Sequence, residues 1–393
     1  MKHSETKSNI LKIFIAAILI SIAYGTLFIM PIYIKSLNGD TATAGYLFAI
    51  TGIGAMVSIL FTKRLVYQYS GNYLLFVGAL FFSIGVIIFG TYHQVDVFYF
   101  IASAFTGIGW GIYYNVSPIM LMAYSDNSDN RVTLFGYLSA FNVIGISLAP
   151  IVIDIIYGEN INYFIVFAIT GGVCSFCAAF LFLSISNNVA VKDSEKINPK
   201  DKMITDEKKK GYIYPLLMVF LGACTLSLMS NFQTVFSKEL GVNYFYFFLS
   251  FSLSMVLSRL LLSAYIAKLN RYYTNTFFLL FMVISLVLFF FAEEDVLIYV
   301  LASSLFGMAY GLVYPIIQDL ALLLSSPQIH KDVLSYFSFS YFIGLYLFSA
   351  ISGVVIDIYG YLLALFVIVI LALIELLLSV ILIKKFSKEY RQT

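Results

Sequence analysis

The sequence predicts an all-helical membrane protein in which two bundles of six helices repeat one plan. Of the 393 residues, 61% are hydrophobic and only 11% are charged, whereas roughly 25% of the residues in a soluble domain are charged. Twelve apolar stretches are long enough for a helix to cross a bilayer core of about 30 Å, which takes about 20 residues. A stretch near residue 100 also returns near residue 300. Together these observations predict twelve transmembrane helices in two related halves.

The internal repeat is the most specific of these signals. Ala102–Tyr114 reads ASAFTGIGWGIYY, and Ala302–Tyr314 reads ASSLFGMAYGLVY. The alanine, the first serine, both shared glycines and the final tyrosine match in register, and Trp110 is answered by Tyr310. A period of half the chain indicates a duplicated architecture, because solenoid repeats are much shorter.

The apolar stretches set the predicted spans and domains. The spans are 11–35, 41–62, 72–91, 96–122, 132–157, 162–185, 212–236, 243–267, 273–292, 295–323, 333–357 and 361–383. A polar segment of mixed charge divides six spans from six. The sequence therefore predicts a first bundle at 1–185, a cytoplasmic linker at 186–211 and a second bundle at 212–393. The linker is interpreted as solvated, with attraction to anionic lipid or to a partner as the alternative.

The basic residues predict the orientation. With the N-terminus in the cytoplasm, twenty of the 23 lysines and arginines fall in cytoplasmic segments, including seven lysines between Lys192 and Lys210. Lys35 and Lys238 fall outside, and Arg259 lies within a span. Because positively charged loops stay in the cytoplasm, both termini are predicted to be cytoplasmic.

Several function classes are not supported by the residues. The net charge of +2 does not indicate a nucleic-acid partner. There is no glycine-rich phosphate loop ahead of a lysine, no soluble catalytic segment and no His/Cys/Asp ligand cluster, so neither an enzyme nor a cofactor or metal site is expected. Cys174, Cys177 and Cys224 lie in apolar runs and are interpreted as small hydrophobic residues. The apolar run Ile10–Ile34 is too long for a cleavable signal peptide.

Six plus six spans around a charged central linker resemble the major facilitator superfamily, most closely its bacterial efflux-type members. Pro31–Leu37 and Phe236–Gly241 resemble the outer ends of the first helix in each half of these transporters. Gly107-Ile-Gly109 resembles part of the span-4 motif. Ala149-Pro150, preceded by Gly145, resembles the glycine-proline motif of exporters, with alanine in place of the usual glycine.

The sequence also departs from the pattern of this superfamily. In the loop between spans 2 and 3, Gln68 replaces the usual aspartate and Asn72-Tyr73 replaces the basic pair, although Gly71 is kept. Ser103 occupies the position of the span-4 arginine that the family associates with proton relay. Coupling through the usual residues is therefore not predicted, and proton coupling is left open.

Aromatic and amide side chains within the spans are candidates for contacts with substrate. The resemblance implies that spans 4 and 10 line the substrate cavity, and aromatic residues with a polar tip suit such a place. The candidates are Tyr24, Trp110, Tyr114, Asn115, Asn142, Tyr310, Tyr314 and Gln318. The alternative for each aromatic residue is packing, and for each amide it is a hydrogen bond between helices.

A second group of residues is proposed for gating or coupling. Intramembrane ionisable groups are costly and are commonly functional, and prolines free backbone groups within a helix. This group comprises Arg259, Asp319, Glu375, Pro118, Pro150 and Pro315. Arg259 either has a structural or gating role or binds an anion. Asp319 is expected to cap a helix or to pair with a loop cation. Glu375 is either a protonated, hydrogen-bonded structural residue or a proton site.

The resemblance implies a secondary active transporter that moves a small organic solute across the cytoplasmic membrane by alternating access. Efflux is the favoured direction. Uptake of a nutrient or metabolite is the alternative, and a non-transporting membrane receptor on the same scaffold is a further one. The expected partners are a small-molecule substrate and the bilayer, with protons left open, and the chain is expected to be a monomer.

Overall fold

A computed structural model describes residues 2–66, 68–92, 94–124, 128–158, 160–185, 211–266, 269–326 and 329–386. Within these residues there are twelve helices long and apolar enough to cross a membrane, and there is no strand. The predicted fold class is confirmed. Apart from Gly211, the predicted linker lies outside the described residues, so its bounds stay a prediction. The described residues also do not include His93, Lys268, Lys388 and Arg391.

The chain divides into two compact units, Met1–Ser194 (unit 1) and Glu195–Thr393 (unit 2). Unit 1 holds α1 (Lys2–Gly25), α2 (Met30–Ser36), α3 (Thr41–Leu65), α4 (Gly71–Thr91), α5 (Val97–Ala123), α6 (Ser128–Tyr157) and α7 (Gly172–Leu183). Its core lies where α5 packs against α3 and α4 and where α1 packs against α6 and α7.

Unit 2 repeats this plan. It holds α8 (Ile213–Asn231), α9 (Gln233–Glu239), α10 (Tyr244–Ile266), α11 (Arg271–Leu288), α12 (Val296–Leu323), α13 (His330–Phe342), α14 (Phe348–Tyr359) and α15 (Tyr361–Phe386). In this unit α12 packs against α10 and α11, and α15 packs against α8, α11 and α14.

The first span of each unit is interrupted, which the sequence did not predict. In unit 1, α1 passes through a 3-10 turn at Thr26–Ile29 before α2 begins, with Pro31 in the first turn of α2. In unit 2, Phe232 leaves helical geometry between α8 and α9. Ser230 donates from its hydroxyl to the Leu226 carbonyl at 2.7 Å, and such bonds to the backbone compete with regular helix.

Small residues bring the helices of each unit together at equivalent places. A Cβ on Gly107 of α5 would collide with the Thr51 carbonyl oxygen of α3, and one on Gly307 of α12 would collide with the Phe251 carbonyl oxygen of α10. Close approach of backbones through glycine is typical of helix pairs in membranes. The matching glycines of the repeat therefore have the same packing role in both units.

The prolines of the gating group do not end their helices. Pro118 lies inside α5, Pro150 inside α6 and Pro315 inside α12, and each helix continues past its proline. Departures from α geometry occur elsewhere, as π-helical turns at Ile165–Gly171 and Ile343–Leu347. A gating role for the prolines stays a prediction.

Two helices have an aspartate just before their first residue that accepts hydrogen bonds from the first turn. Asp295 accepts hydrogen bonds from the backbone N–H groups of Leu297 at 2.9 Å and Ile298 at 3.1 Å, and so caps α12. Before α3, Asp40 accepts from the hydroxyl and the backbone N–H of Thr43, which hold the pKa of the Asp40 carboxyl below its usual value.

Candidate functional site

In unit 1 an aromatic cluster surrounds Trp110 on α5. Its ring stacks on Tyr24 of α1 with centroids 4.1 Å apart and planes inclined by 24°. Tyr113 lies 5.3 Å, Tyr114 6.4 Å and Phe82 6.5 Å from the same ring. These five residues are called the Trp110 cluster below. The structure thus brings together three of the predicted candidates, Tyr24, Trp110 and Tyr114.

Asn142 of α6 joins the Trp110 cluster through a hydrogen bond. Its Oδ1 accepts from the hydroxyl of Tyr113 at 2.6 Å and from the hydroxyl of Ser21 at 3.1 Å. The side chain of Asn142 is half-buried, whereas Tyr113 is fully buried. One amide therefore links α1, α5 and α6 beside the aromatic rings. The sequence did not identify Ser21 or Tyr113, because neither residue type is unusual in a span.

Asn115 has a different environment from Asn142. Its Nδ2 donates to the hydroxyl of Thr62 on α3 at 2.9 Å. This bond ties α5 to α3 near their cytoplasmic ends in the predicted orientation. The contact matches the structural alternative for this residue, a hydrogen bond between helices.

In unit 2 the position of Trp110 is taken by Tyr310, which has the same exposure of 5%. The Tyr310 ring lies 5.9 Å from Phe306. One turn further along α12, the Tyr314 ring packs edge-on against Phe337 at 5.3 Å and Tyr341 at 5.2 Å, both on α13. Unit 2 therefore has a second, looser group of rings at the repeated positions.

Amide and proline exchange places between the two copies of this helix. In α5 the order is Asn115 then Pro118, and in α12 it is Pro315 then Gln318. Gln318 is half-buried. Each helix thus has one amide and one proline a turn apart, in opposite order.

A buried polar network at the end of α8 is absent from the predicted candidates. Ser227 and Ser349 share a hydrogen bond of 2.7 Å between their hydroxyls, and Asn231 Nδ2 donates to the Ser349 hydroxyl at 2.8 Å. Beyond the helix break, Gln233 Nε2 donates to the Tyr299 hydroxyl at 2.6 Å. The signal in the sequence was the polar-rich run SLMSNFQTVFS, residues 227–237, within an apolar span.

The charged candidates of unit 2 near the predicted cytoplasmic side have partners. Arg259 Nε of α10 donates to the Gly311 carbonyl of α12 at 3.0 Å. Asp319 of α12 forms an ion pair with Arg271, the first residue of α11. Both members of this pair are partly exposed, at 47% for Asp319 and 35% for Arg271, so the pair contributes at most about 1 kcal/mol.

Glu375 lies in the middle of α15 and is fully buried. Neither carboxyl oxygen has a hydrogen-bond partner among the described residues. Gly222 of α8 faces the carboxyl group, since a Cβ on that glycine would lie 3.3 Å from each oxygen. The sequence identified this residue, but the expected hydrogen bond to it is not seen within the described part of the chain.

The Trp110 cluster of unit 1 and the rings around Tyr310 and Tyr314 of unit 2 contain no charged side chain. Among the described residues, no group of His, Cys, Asp and Glu is arranged to hold a metal ion.

Comparison with known families identifies the chain. The family model for the Major Facilitator Superfamily matches residues 13–345. The chain belongs to this superfamily. It is therefore a multi-pass membrane protein, and its family points to a transporter rather than an enzyme.

The relatives of this superfamily member are distant. Multidrug resistance protein 2 of Bacillus subtilis (strain 168) is 25% identical over 221 residues, which cover 53% of this chain and 52% of that protein. The chain thus matches about half the length of this curated relative.

Two solved structures share the fold. A mutant form of the nucleoside transporter NupG has a TM-score of 0.80 at 14% identity and covers 95% of this chain and 99% of its own. The peptide transporter POT in complex with sulfate has a TM-score of 0.77 at 15% identity, with coverage of 96% and 94%. At these identities the likeness concerns the fold alone.

Proposed function

We propose that this superfamily member is a secondary active transporter that exports a small amphipathic organic solute from the cytoplasm. The two units alternate between inward and outward openings, as the inverted and parallel repeats of transporters do in general. The protein acts as a monomer in the cytoplasmic membrane with both termini inside the cell. The basic residues support this orientation.

The observation that carries this proposal is the Trp110 cluster with Asn142. The half-buried members Tyr114 and Asn142 offer a ring and an amide edge beside the buried Tyr24–Trp110 stack, and none of these side chains is charged. A planar solute of mixed polarity fits such a surface better than a fully charged one, whose desolvation would be uncompensated there.

Two further observations favour export over uptake. Gly145, Ala149 and Pro150 of α6 keep most of the exporter motif, and Gly145 packs directly on α1, where a Cβ would lie 2.6 Å from the Ile18 carbonyl oxygen. The Bacillus subtilis relative is named for multidrug resistance. Both support an outward direction for this chain.

Transport is tested first by metabolite and toxicity profiles of a strain that lacks the gene, and then in inverted membrane vesicles with the neutral aromatic dye N-phenyl-1-naphthylamine as a probe. Vesicles with the protein are expected to accumulate more probe than vesicles without it. Accumulation in right-side-out vesicles instead would indicate uptake. Binding without flux in proteoliposomes would favour a receptor.

Replacing Trp110 tests the aromatic cluster as the recognition surface. Trp110→Ala removes stacking worth about 0.5–1.4 kcal/mol, so the half-saturating solute concentration is expected to rise about two- to tenfold. The matched control is Phe105→Ala on the same helix, because Phe105 stacks on Phe81 at 5.4 Å outside the cluster. Equal effects of the two variants would contradict a recognition role for Trp110.

Arg259 and Tyr314 of unit 2 provide a second test. Arg259→Ala removes the hydrogen bond to Gly311, and Tyr314→Phe removes only a hydroxyl. Both are expected to reduce flux while the protein still inserts into the membrane, as measured by its amount in washed membranes. Unchanged flux in both variants would remove these residues from the site.

A further inference from the structure

Among the described residues, Glu375 is the one acidic or basic side chain that is fully buried. It lies at the centre of α15, and the two basic residues of this helix, Lys384 and Lys385, lie in its last turn. The buried hydroxyl one turn later is satisfied, because Ser379 is bonded to Asn275 at 2.9 Å and to Thr276 at 2.7 Å. The carboxyl group of Glu375 has no such partner within the described residues.

Within the described part of the chain, the groups around the carboxyl do not include a cation. From α8 the titratable neighbour is the thiol of Cys224, and from α12 it is the hydroxyl of Tyr310. The charged residue of α11 is Arg271. It lies four residues before Asn275 and forms an ion pair with Asp319. On α14 the titratable groups are Asp357 and Tyr359, close to the start of α15 and far along the helix from Glu375.

An ionised carboxylate in such a place is strongly disfavoured, because it loses its water and gains no counter-charge. The neutral acid is the form compatible with these surroundings. Gly222 makes this possible sterically, since α8 presents no side chain where the carboxyl lies. The packed arrangement of α8 on α15 therefore requires the protonated side chain.

We propose that Glu375 is the proton-binding site of the transporter, protonated while α8 packs against α15 and able to ionise only when α8 moves away. One proton passes between water and a carboxylate oxygen, and no other bond forms or breaks. The ligand of this site is a proton, and the moving element is α8, the helix that breaks at Phe232. The use of this site in coupling rests on the proposed transport function.

Proton binding is measured on the purified full-length protein without substrate, by infrared spectroscopy of protonated carboxylic acids at neutral pH. The expected result is a carbonyl band that is lost in Glu375→Gln and kept in Glu293→Gln. Glu293 is the matched control because it is exposed in an outer turn. A band that persists unchanged in Glu375→Gln overturns the proposal.

The protein without substitutions provides a test that does not depend on how a variant folds. Dicyclohexylcarbodiimide, which modifies protonated carboxyls in apolar surroundings, is expected to label Glu375, and the labelling is expected to fall at alkaline pH. Mass spectrometry of the peptide that contains Glu375 measures it. Absence of labelling in detergent at any pH, together with an absent infrared band, overturns the proposal.

The link to α8 is measured by hydrogen exchange of peptides from Ile213–Asn231 across a pH series, corrected for the intrinsic exchange rate. The corrected rate is expected to rise with pH in the unmodified protein and in Glu293→Gln, but not in Glu375→Gln. The same pH dependence in all three proteins overturns the link. None of these measurements uses a transported solute, so a failure of the export assay is distinguishable from a failure here.

Discussion

At the scale of single residues, the environment decides which polar side chains hold helices together. Asn142 and Asn115 are the same residue type in neighbouring helices. From the sequence, both are predicted either to contact substrate or to form a hydrogen bond between helices. The structure separates them: Asn142 binds Tyr113 and Ser21 beside the aromatic rings, and Asn115 binds Thr62. These partners come from other helices, so spacing along one helix could not predict them.

Asn142→Ala is expected to lower the free energy of unfolding by about 1–2 kcal/mol, because it removes the oxygen that accepts from the hydroxyls of the fully buried Tyr113 and Ser21. Tyr113→Phe removes the hydroxyl itself and is expected to cost only about 0.6 kcal/mol, the average for such bonds in membranes. Unfolding in mixed detergent micelles measures both. The double variant should cost less than the sum, and strict additivity would contradict the bond.

At the scale of helices, the amino-acid sequence predicted the existence and the order of the membrane spans well. A stretch of about 20 apolar residues in a membrane leaves little choice other than a helix. The sequence did not predict where helices depart from α geometry. The breaks at Thr26–Ile29 and Phe232 and the two π-helical turns contain no proline that would have marked them in the sequence. Pro118, Pro150 and Pro315, which are the obvious breakers in sequence, lie within continuous helices.

Gly107→Ala is expected to destabilise unit 1 by about 1–3 kcal/mol, because the added methyl group meets the Thr51 carbonyl and pushes α5 away from α3. The matched control is Gly136→Ala in α6, where a Cβ meets nothing within 4 Å. That variant should be neutral or gain up to about 1 kcal/mol of helix propensity. Thermal unfolding in detergent compares them, and equal stabilities would contradict close packing at Gly107.

Asp295→Ala is expected to cost about 0.5–2 kcal/mol, because two backbone N–H groups at the start of α12 lose their acceptor. Glu293→Ala in the same turn should change stability little. Hydrogen exchange of the first turn of α12 should accelerate in the first variant only. Unchanged exchange in Asp295→Ala would show that the cap contributes nothing.

At the scale of the whole molecule, the repeat was the strongest prediction from sequence, and its matching glycines pack in the same way in both units. Gly107 and Gly307 lie against carbonyl oxygens of the corresponding neighbouring helices. The candidate site was only partly predictable. Aromatic residues of the repeat were identified by type, whereas Ser227, Asn231 and Ser349 were missed because serines and one asparagine are common in spans.

The orientation of the chain is tested with reporter fusions at both termini. Because twenty of 23 basic residues fall in segments on one side, an alkaline phosphatase fused to either end is expected to be inactive and a fluorescent protein fused to either end is expected to be bright. Neutralising one basic residue should not invert the chain, given their number. Activity of the phosphatase at either terminus would refute the predicted topology.

The reversed order of amide and proline in α5 and α12 bears on the history of the gene. Directly after a duplication, the two halves would have carried their prolines at equivalent positions. A substitution tolerated in one half would then have been tolerated in the other. In α5 the amide precedes the proline by about one helical turn, whereas in α12 the amide follows the proline by the same distance. The halves are therefore no longer interchangeable at this turn, and a chimaera built from two copies of one half would carry its two prolines at equivalent positions.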